Sequence, residues 1–367
     1  MAVSNIARDP YRAPSRHDPL AGLRPDGGPE LDVFLTGTVF FDIIFIGMEG
    51  PPKQGTEVWA DGMGSSPGGV ANLAVAAARL GLRTGLAATF GEDLYGDYCR
   101  QTLGVQEGVD LTYSRYVTGW HSPVTVSMVY QRDRAMVTHG HRPEALDRLV
   151  THPPQARSCF VDLGAERQPW VDSVTAAGGR VFADLGWDPE DRWDFGRLRE
   201  SLSGCYAFSP NAVEAMSYTR TDSPEAAVEK LAELVPLAVV TNGADGALAF
   251  DTETGRPVKA AAVPVEALDP TGAGDVFVAG LMVGTLAGWP LVHSLRLANL
   301  GAALSVRHFG GALASPGWGD IALWYRETGS KDPALAGDYE FLNTIVPDDA
   351  VPEVSRAIAT LGFRAGR

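Results

Sequence analysis

The sequence predicts an α/β protein with a doubly wound, mainly parallel sheet flanked by helices, and a second, smaller β-sheet. Three observations support this prediction: short apolar runs alternate with helical stretches, two segments alternate apolar with polar residues, and a glycine-rich turn precedes an apolar helix. With 367 residues, of which 45% are hydrophobic and 20% charged, the chain can bury a large core.

The apolar runs are short and uninterrupted, which is typical of strands buried on both faces of a parallel sheet. They lie at residues 33–37, 85–90, 159–163, 181–185, 205–208 and 237–241. Helical stretches separate them, such as 70–80, which is followed by Gly81, and 225–234. This succession favours right-handed β–α–β units within one open sheet.

Two other segments, 43–66 and 113–137, alternate apolar with polar residues, most clearly at 124–130. Alternation predicts strands with one face exposed to water. Because both segments precede parts of the α/β core, we expect them to form a small β-sheet lid. Strands that extend the main sheet are the alternative.

The ends of the chain differ from its middle in composition. We expect residues 1–30, which are rich in Pro, Arg, Asp and Gly, to be a flexible tail. We expect residues 31–325 to form the domain, with the lid at about 43–66 and 113–137. Residues 326–367 are polar and irregular, and we treat them as a C-terminal extension of unknown role.

Composition argues against several classes of function. The net charge of −15 leaves nothing to neutralise the phosphates of a nucleic acid, and it disfavours an anionic membrane surface. Neither a membrane-spanning stretch nor a secretory signal is evident, so we expect a cytoplasmic protein. The cysteines are widely spaced, and the apolar surroundings of Cys159 and Cys205 predict buried side chains rather than a redox pair.

The strongest chemical pattern is the run Asp269-Pro-Thr-Gly-Ala-Gly-Asp275, which precedes an apolar helix. N–H groups at a helix N-terminus lack intrahelical acceptors, and small residues such as Gly272, Ala273 and Gly274 let an anion approach them. These N–H groups and that of Asp275 could stabilise a transferring phosphoryl group, while the Asp275 carboxylate takes a proton from a hydroxyl nucleophile. The alternative is a glycine-rich turn in which Asp275 caps the helix.

In these residues the chain resembles the ribokinase family, also called the PfkB carbohydrate kinase family. The run 269–275 resembles the family's C-terminal signature, and the run Gly68-Gly-Val-Ala-Asn72-Leu-Ala-Val-Ala-Ala-Ala-Arg79-Leu-Gly81 resembles its N-terminal one. The two signatures have the family's order and wide separation, and the resemblance extends over roughly residues 31–320. It implies a ribokinase-like fold and ATP-dependent phosphorylation of a small molecule.

The resemblance implies that Gly68, Gly69, Asn72 and Asp42 bind the phosphate acceptor. The amide of Asn72 both donates and accepts, and the carboxylate of Asp42 can accept from two vicinal hydroxyls, which suits a polyol. The alternatives are close backbone packing at the two glycines, a local helix cap at Asn72 and a turn residue at Asp42.

The resemblance also implies an ATP site, built from Asn211, Glu214, Thr241, Gly243, Gly246 and Asn299. In the family the Asn-x-x-Glu unit organises Mg²⁺ and the phosphates, so Glu214 is expected to hold Mg²⁺ through water. Ser209 stands where the family often has Lys or Asn, which is a departure beside the phosphates. The alternatives are a helix-capping pair for Asn211 and Glu214, a hairpin turn at 241–246 and a buried structural amide at Asn299.

Asp269 is, by the same resemblance, a candidate ligand for a monovalent cation such as K⁺. The pairs Trp120-His121 and His139-Gly-His141 could face the acceptor from the lid, but we expect their histidines to be surface or packing residues. Asp184 is a secondary candidate at the edge of the sheet where ligands bind.

These patterns together predict magnesium-assisted transfer of the ATP γ-phosphoryl group to a hydroxyl of a sugar or related polyol. A nucleoside kinase on the same fold and a non-catalytic sugar-binding regulatory protein are the alternatives. A nicotinamide-dependent dehydrogenase is disfavoured because the first strand is followed by Gly37-Thr-Val-Phe-Phe-Asp42, without Gly-x-Gly-x-x-Gly. A lid with one apolar face also predicts a homodimer through the lid.

Overall fold

The structure, a computed structural model, describes residues 17–346 apart from 131–132, 142–149, 151, 153, 165–166 and 187–191. Its strands are β1 (Leu31–Thr36), β2 (Val39–Ile46), β3 (Gly62–Gly69), β4 (Thr84–Ala87), β5 (Thr89–Gly91), β6 (Arg115–Val117), β7 (Val124–Tyr130), β8 (Asp133–His139), β9 (Ala156–Asp162), β10 (Arg180–Asp184), β11 (Ala207–Phe208), β12 (Leu237–Thr241), β13 (Ala247–Asp251) and β14 (Arg256–Ala260). Its α-helices are α1 (Ala71–Arg79), α2 (Leu94–Arg100), α3 (Trp170–Ala176), α4 (Phe195–Ser201), α5 (Ala212–Thr219), α6 (Pro224–Leu231), α7 (Ala273–Ala287), α8 (Leu291–Ser305), α9 (Trp318–Lys331) and α10 (Pro333–Asp338).

The main sheet has the strand order β14-β13-β12-β11-β10-β9-β1-β4. Strands β12 to β4 in this order are parallel, whereas β13 and β14 are antiparallel additions at one edge. Strand β1, which lies between β9 and β4, is buried on both faces, with Val33, Phe34 and Leu35 fully inaccessible to solvent. The predicted doubly wound, mainly parallel α/β fold is therefore confirmed.

The apolar run at 85–90 is divided between two sheets, which the sequence did not predict. Strand β4 pairs with β1, but the N–H of Ala88 donates to the hydroxyl of Ser114 instead of continuing that ladder. The chain then enters β5, which pairs with β6 in a separate two-stranded sheet. A local hydrogen bond thus ends the run as a strand of the main sheet.

A second sheet, which we call the small sheet, has the order β3-β2-β7-β8. Its strands come from the two alternating segments, although β6 in the second segment belongs with β5 instead. One face buries Ile44, Thr125 and Ser127, while Val137 on the opposite face is 63% exposed. The small sheet therefore lies beside the main sheet rather than extending it.

Helix α7 is fixed at the carboxyl edge of the main sheet by close packing against α8. A methyl group added at Gly280 of α7 would lie 2.7 Å from the Cα of Ala298 in α8, so the two backbones are nearly in contact. Helix α1 packs against α7, and all nine of its residues are buried. This packing fixes the position of the N-terminus of α7.

The described residues at both ends of the chain are more structured than the sequence predicted. Leu20 is fully buried and Arg24 forms an ion pair with the buried Asp32, so residues 17–30 pack against the domain. The expected boundary at 325 falls inside α9, and Tyr339 and Leu342 beyond it are buried. Residues 1–16 and 347–367 of the predicted tails lie outside the described residues.

The cysteines Cys99, Cys159 and Cys205 are free and buried. Within the described ranges, no helix combines the length and the apolar character that crossing a membrane requires.

Candidate active site

The N-terminus of α7 contains the predicted anion hole. Gly272, the N-cap, has a φ of 77°, a left-handed conformation that favours glycine. The N–H of Ala273 donates to the carbonyl of Pro270 at 3.2 Å, and the N–H of Asp275 bonds to its own carboxylate. Gly274 faces open space, since an added methyl group would meet no atom within 4 Å apart from its chain neighbours. Two of the four expected N–H donors are thus engaged within the turn.

Asp275 lies in the first turn of α7, where Asn72 from α1 reaches its carboxylate. Burial raises the pKa of Asp275 to about 7, and the hydrogen bond from the Asn72 side chain opposes that rise. Asn72 is 8% exposed, and its Oδ1 has no hydrogen-bond partner in the described part of the chain. A carboxyl with a pKa near neutrality and an unused buried acceptor are therefore brought together.

Asp42, on β2, faces the same region from the small sheet. Burial raises its pKa to about 7, while a hydrogen bond from Thr125 on β7 lowers it. A methyl group added at Gly68 would lie 2.0 Å from Asp42 Oδ2, so only glycine leaves room for this carboxylate. Gly69 has a φ of 64° and would meet the carbonyl of Thr38. Close packing thus accounts for both glycines, and their contact with an acceptor stays a prediction.

Arg134 reaches the anion-hole turn from β8 of the small sheet, and the sequence reasoning missed it. Its Nη1 donates to the hydroxyl of Thr271 and lies 3.7 Å from Asp269 Oδ1. Asp269 is buried, and its Oδ1 accepts the N–H of Thr271 at 3.0 Å. Side chains alternate along β8, so Arg134 and Thr138 lie on the same face. Thr138 pairs with Thr125 on β7, which pairs with Asp42 on β2, so Arg134 and Asp42 lie on one face of the small sheet. The alternation along β8 can be read from the sequence, whereas the contact between Arg134 and Thr271 cannot.

Asn211 and Glu214 form a reciprocal capping box at the start of α5. The N–H of Glu214 donates to Asn211 Oδ1 at 3.0 Å, and the N–H of Asn211 donates to Glu214 Oε2 at 3.1 Å. The alternative of a helix-capping pair is therefore observed, and a magnesium role for Glu214 stays a prediction. In the described residues no group of three His, Cys, Asp or Glu side chains could hold a metal ion.

The predicted nucleotide loop is the turn between β12 and β13. The N–H of Asn242 donates to the carbonyl of Gly246 at 2.7 Å, and Gly243 and Gly246 have φ values of 51° and 93°. The N–H of Thr241 donates to the carbonyl of Pro210, which joins this hairpin to the start of α5. The turn is therefore a hairpin, as the alternative states, and it adjoins the Asn211 capping box.

Asn299 lies inside α8, and its side chain is held by main-chain groups. Its Nδ2 donates to the carbonyls of Ala260 at 2.9 Å and Ala261 at 3.1 Å. A methyl group at Gly246 would lie 2.1 Å from the same Ala260 carbonyl. Asn299 is thus a buried structural amide that supports the segment against which the loop packs, and a contact with adenine stays a prediction.

Asp184 ends β10 among other carboxylates. Burial raises its pKa well above the usual range, and the charges of Glu214, Asp275 and Asp162 raise it further. Its own Oδ1 accepts the N–H of Leu185 at 2.8 Å. Burial and the neighbouring carboxylates therefore favour the protonated form of Asp184.

The histidines of the small-sheet region pack against one another. The ring centroids of His121 and His139 are 5.4 Å apart, and those of His139 and His141 are 5.2 Å apart. The interplanar angles of 65° and 83° are typical of edge-to-face aromatic contacts. These contacts agree with the expectation that the histidines have a packing role.

Comparison with known proteins identifies the class to which this fold and site belong. The sequence matches the pfkB family carbohydrate kinases over residues 36–154 and 175–317. The chain therefore belongs to this family, and it is a carbohydrate kinase, a phosphotransferase with an alcohol group as acceptor. The resemblance stated from the two signatures is confirmed.

Individual relatives differ in the acceptor that their names give. A fructokinase from Klebsiella pneumoniae is 32% identical over 285 residues, which cover 71% of this chain and 90% of the relative. A nucleoside kinase from Methanothermobacter thermautotrophicus is 26% identical over 83% of this chain and 98% of its own length. The structure of Arabidopsis thaliana ribokinase complexed with ribose and ATP matches with a TM-score of 0.64 and 25% identity, covering 79% of this chain and 96% of that one.

Proposed function

We propose that the protein transfers the γ-phosphoryl group of ATP to a hydroxyl of a sugar or related polyol, with Asp275 as the general base. The observation that carries this proposal is the position of Asp275 in the first turn of α7. There it lies beside glycine N–H groups and receives a hydrogen bond from Asn72. A base with a pKa of about 7 is poised to accept a proton near neutral pH.

The proposed step is an in-line displacement at phosphorus. The acceptor oxygen forms a bond to the γ-phosphorus while the bond from that phosphorus to the bridging oxygen of ADP breaks. The hydroxyl proton passes to Asp275, and the N–H groups of Gly272 and Gly274 stabilise the negative charge on the phosphoryl oxygens. Asn72 holds Asp275 in place and offers its unpaired Oδ1 to a donor on the acceptor.

We assign the nucleotide side to the residues of the capping box and the adjoining hairpin. Mg²⁺ would neutralise phosphate charge, and the carboxylate of Glu214, which is 8% exposed, would hold it through water. The capping hydrogen bonds engage Glu214 Oε2 and Asn211 Oδ1, so the other carboxylate oxygen of Glu214 could bind a water of Mg²⁺ and the Asn211 NH₂ group could donate to phosphate oxygens. Thr241, Gly243 and Gly246 would line the nucleotide, with Asn299 supporting the loop.

Nucleoside phosphorylation is the second candidate function. It is favoured by the match to the Methanothermobacter nucleoside kinase, which extends over 98% of that protein. Both candidates use the same base and anion hole, and they differ in the groups that contact the acceptor. A non-catalytic sugar-binding protein is disfavoured because Asp275 and the Asn211–Glu214 unit are both retained.

Two further assignments belong to this proposal. Asp269 is proposed as a ligand of a monovalent cation such as K⁺, although the Arg134 guanidinium already supplies a positive charge 3.7 Å from its Oδ1. Pairing of two small sheets is proposed to form a homodimer, because Val137 leaves an apolar side chain 63% exposed on the outer face. Equilibrium sedimentation that finds only monomer would contradict the dimer.

The test of the proposed function is an acceptor panel. ADP release from Mg²⁺-ATP is measured with separate sugars, sugar acids, polyols and nucleosides. Release that depends on a sugar or polyol is the expected result, and release that depends only on nucleosides would favour the second candidate. Release with none of the acceptors, from folded protein that binds ATP, would contradict a catalytic role.

A further inference from the structure

Arg134 carries a positive charge from the small sheet to the edge of the anion hole. It lies on β8, the edge strand of that sheet, where it pairs with Val129 on β7. Its Nη1 donates to the hydroxyl of Thr271, the residue directly before the N-cap Gly272 of α7. The contact joins positions 137 residues apart in the sequence and links the two sheets at the candidate active site.

The same guanidinium influences the acceptor side of the site. Its charge lowers the pKa of Asp42, whereas the charge of Asp269 raises it. Arg134 is therefore close enough to both Asp42 and the turn at Thr271 to interact with each. In the proposed reaction the phosphoryl group moves from the anion hole toward the acceptor bound near Asp42, so it passes beside this guanidinium.

The N–H groups of the anion hole can neutralise only part of the negative charge on a phosphoryl group, so a guanidinium nearby could neutralise more of it. The N–H of Ala273 is bonded to Pro270, and the N–H of Asp275 is bonded to its own carboxylate. A guanidinium has five N–H donors in a planar fork that matches phosphoryl oxygens. The side chain is 29% exposed, so the guanidinium is accessible to a ligand in the site.

We propose that Arg134 is a catalytic residue that donates hydrogen bonds to the transferring phosphoryl group. The small sheet would then contribute a positive charge to the reaction in addition to covering the acceptor. This inference rests on the proposed function. The acceptor oxygen bonds to phosphorus, the bond to the ADP oxygen breaks, Asp275 takes the proton, and Arg134 remains protonated throughout. Because β8 carries the charge, catalysis is complete only when the small sheet lies against the anion-hole turn.

The experiment compares Arg134→Ala and Arg134→Lys with Arg256→Ala. Arg256 is the matched control because it is an exposed arginine on β14, at the edge of the main sheet, and has no role in the proposed site. We expect kcat of Arg134→Ala to fall by about 100-fold or more, with the ATP KM within about threefold of wild type. Arg134→Lys should retain more activity than Arg134→Ala, and Arg256→Ala should match wild type.

Added guanidinium ion provides a readout that a structural role would not produce. At concentrations far below those that unfold proteins, it should restore part of the kcat of Arg134→Ala and none of that of Asp275→Asn. A wild-type kcat in Arg134→Ala, a loss confined to the acceptor KM, or a failure of rescue in protein with a wild-type melting temperature would each overturn the inference. These outcomes assume an active wild type, so inactive wild type on the whole acceptor panel would instead overturn the proposed function.

Discussion

The carboxyl edge of the main sheet and the small sheet contribute to the candidate active site in different ways. The main sheet presents main-chain groups at helix N-termini, at Gly272 before α7 and at the Asn211 capping box before α5. The small sheet presents charged side chains from strands, Asp42 from β2 and Arg134 from β8. The groups on the main sheet are thus fixed by local backbone geometry, whereas those on the small sheet depend on strand register.

The largest effect should come from the main-sheet side. Asp275→Asn removes the proposed base while it preserves the shape of the side chain, so kcat should fall by about 1,000-fold with ATP affinity nearly unchanged. The measurements are steady-state kinetics and ATP binding by calorimetry. Asp222→Asn, at an exposed site, is the control for loss of one negative charge. A mutant with a near-wild-type rate would show that Asp275 is not the base.

Replacing the small-sheet carboxylate should affect the acceptor instead. Asp42→Asn replaces a carboxyl oxygen that can accept a hydrogen bond with an NH₂ group that can only donate, so the acceptor KM should rise about 10- to 100-fold while the ATP KM stays constant. The exposed Asp61→Asn, in the connection between β2 and β3, is the matched control. An equal rise in both KM values would contradict the proposal that the small sheet binds the acceptor and the main sheet binds ATP.

A smaller effect is expected where the main sheet supports the nucleotide loop. Asn299→Ala leaves the carbonyls of Ala260 and Ala261 without the amide donor, which should lower the free energy of unfolding by about 1–3 kcal/mol. Because Gly246 packs on the same segment, the ATP KM should rise about threefold. The exposed Asn343→Ala is the control, and an unchanged ATP KM together with the predicted loss of stability would limit Asn299 to a structural role.

The last effect is on stability and depends on pH. The folded-state pKa of Asp275 is about 7 and its unfolded value is 3.8, so between these values the folded state binds more protons. Its contribution to stability is therefore lost as the pH rises toward 7. Asn does not ionise, so Asp275→Asn does not lose this contribution as the pH rises. The melting temperature of the variant minus that of wild type should therefore be larger at about pH 8 than at about pH 5. Calorimetry at both pH values measures this difference, and a constant difference would contradict the raised pKa.

The donor side could be predicted from the sequence because its determinants are local. The helix start after Gly272 and the Asn211–Glu214 capping pair are each encoded in a run of at most seven residues. Only the structure shows that the N–H groups of Ala273 and Asp275 form hydrogen bonds inside the turn. The small-sheet side of the candidate site was predicted only for Asp42, Gly68 and Gly69. Arg134 was missed because its position depends on the pairing of β7 with β8 and on a contact with Thr271 in another element.

The same reason explains the errors at the ends of the chain. Residues 17–30 lack apolar periodicity, yet one fully buried side chain, Leu20, and one ion pair, Arg24 with Asp32, hold them against the domain. Single anchors leave no periodic pattern in a sequence. The helix α9 continues past 325 for a similar reason, since Trp324 packs edge-to-face against the distant Tyr339.

The absence of a side chain at Gly68 couples that position to the Asp42 carboxylate, which we propose to contact the acceptor. A Cβ at position 68 would overlap the carboxylate where it now lies, so a larger residue there requires Asp42 to move. Thr125 and Thr138, on β7 and β8, instead have hydroxyls that face each other across the ladder at 3.1 Å. Under the proposed function, a larger residue at position 68 would therefore alter acceptor binding without touching the acceptor, through the carboxylate that it displaces.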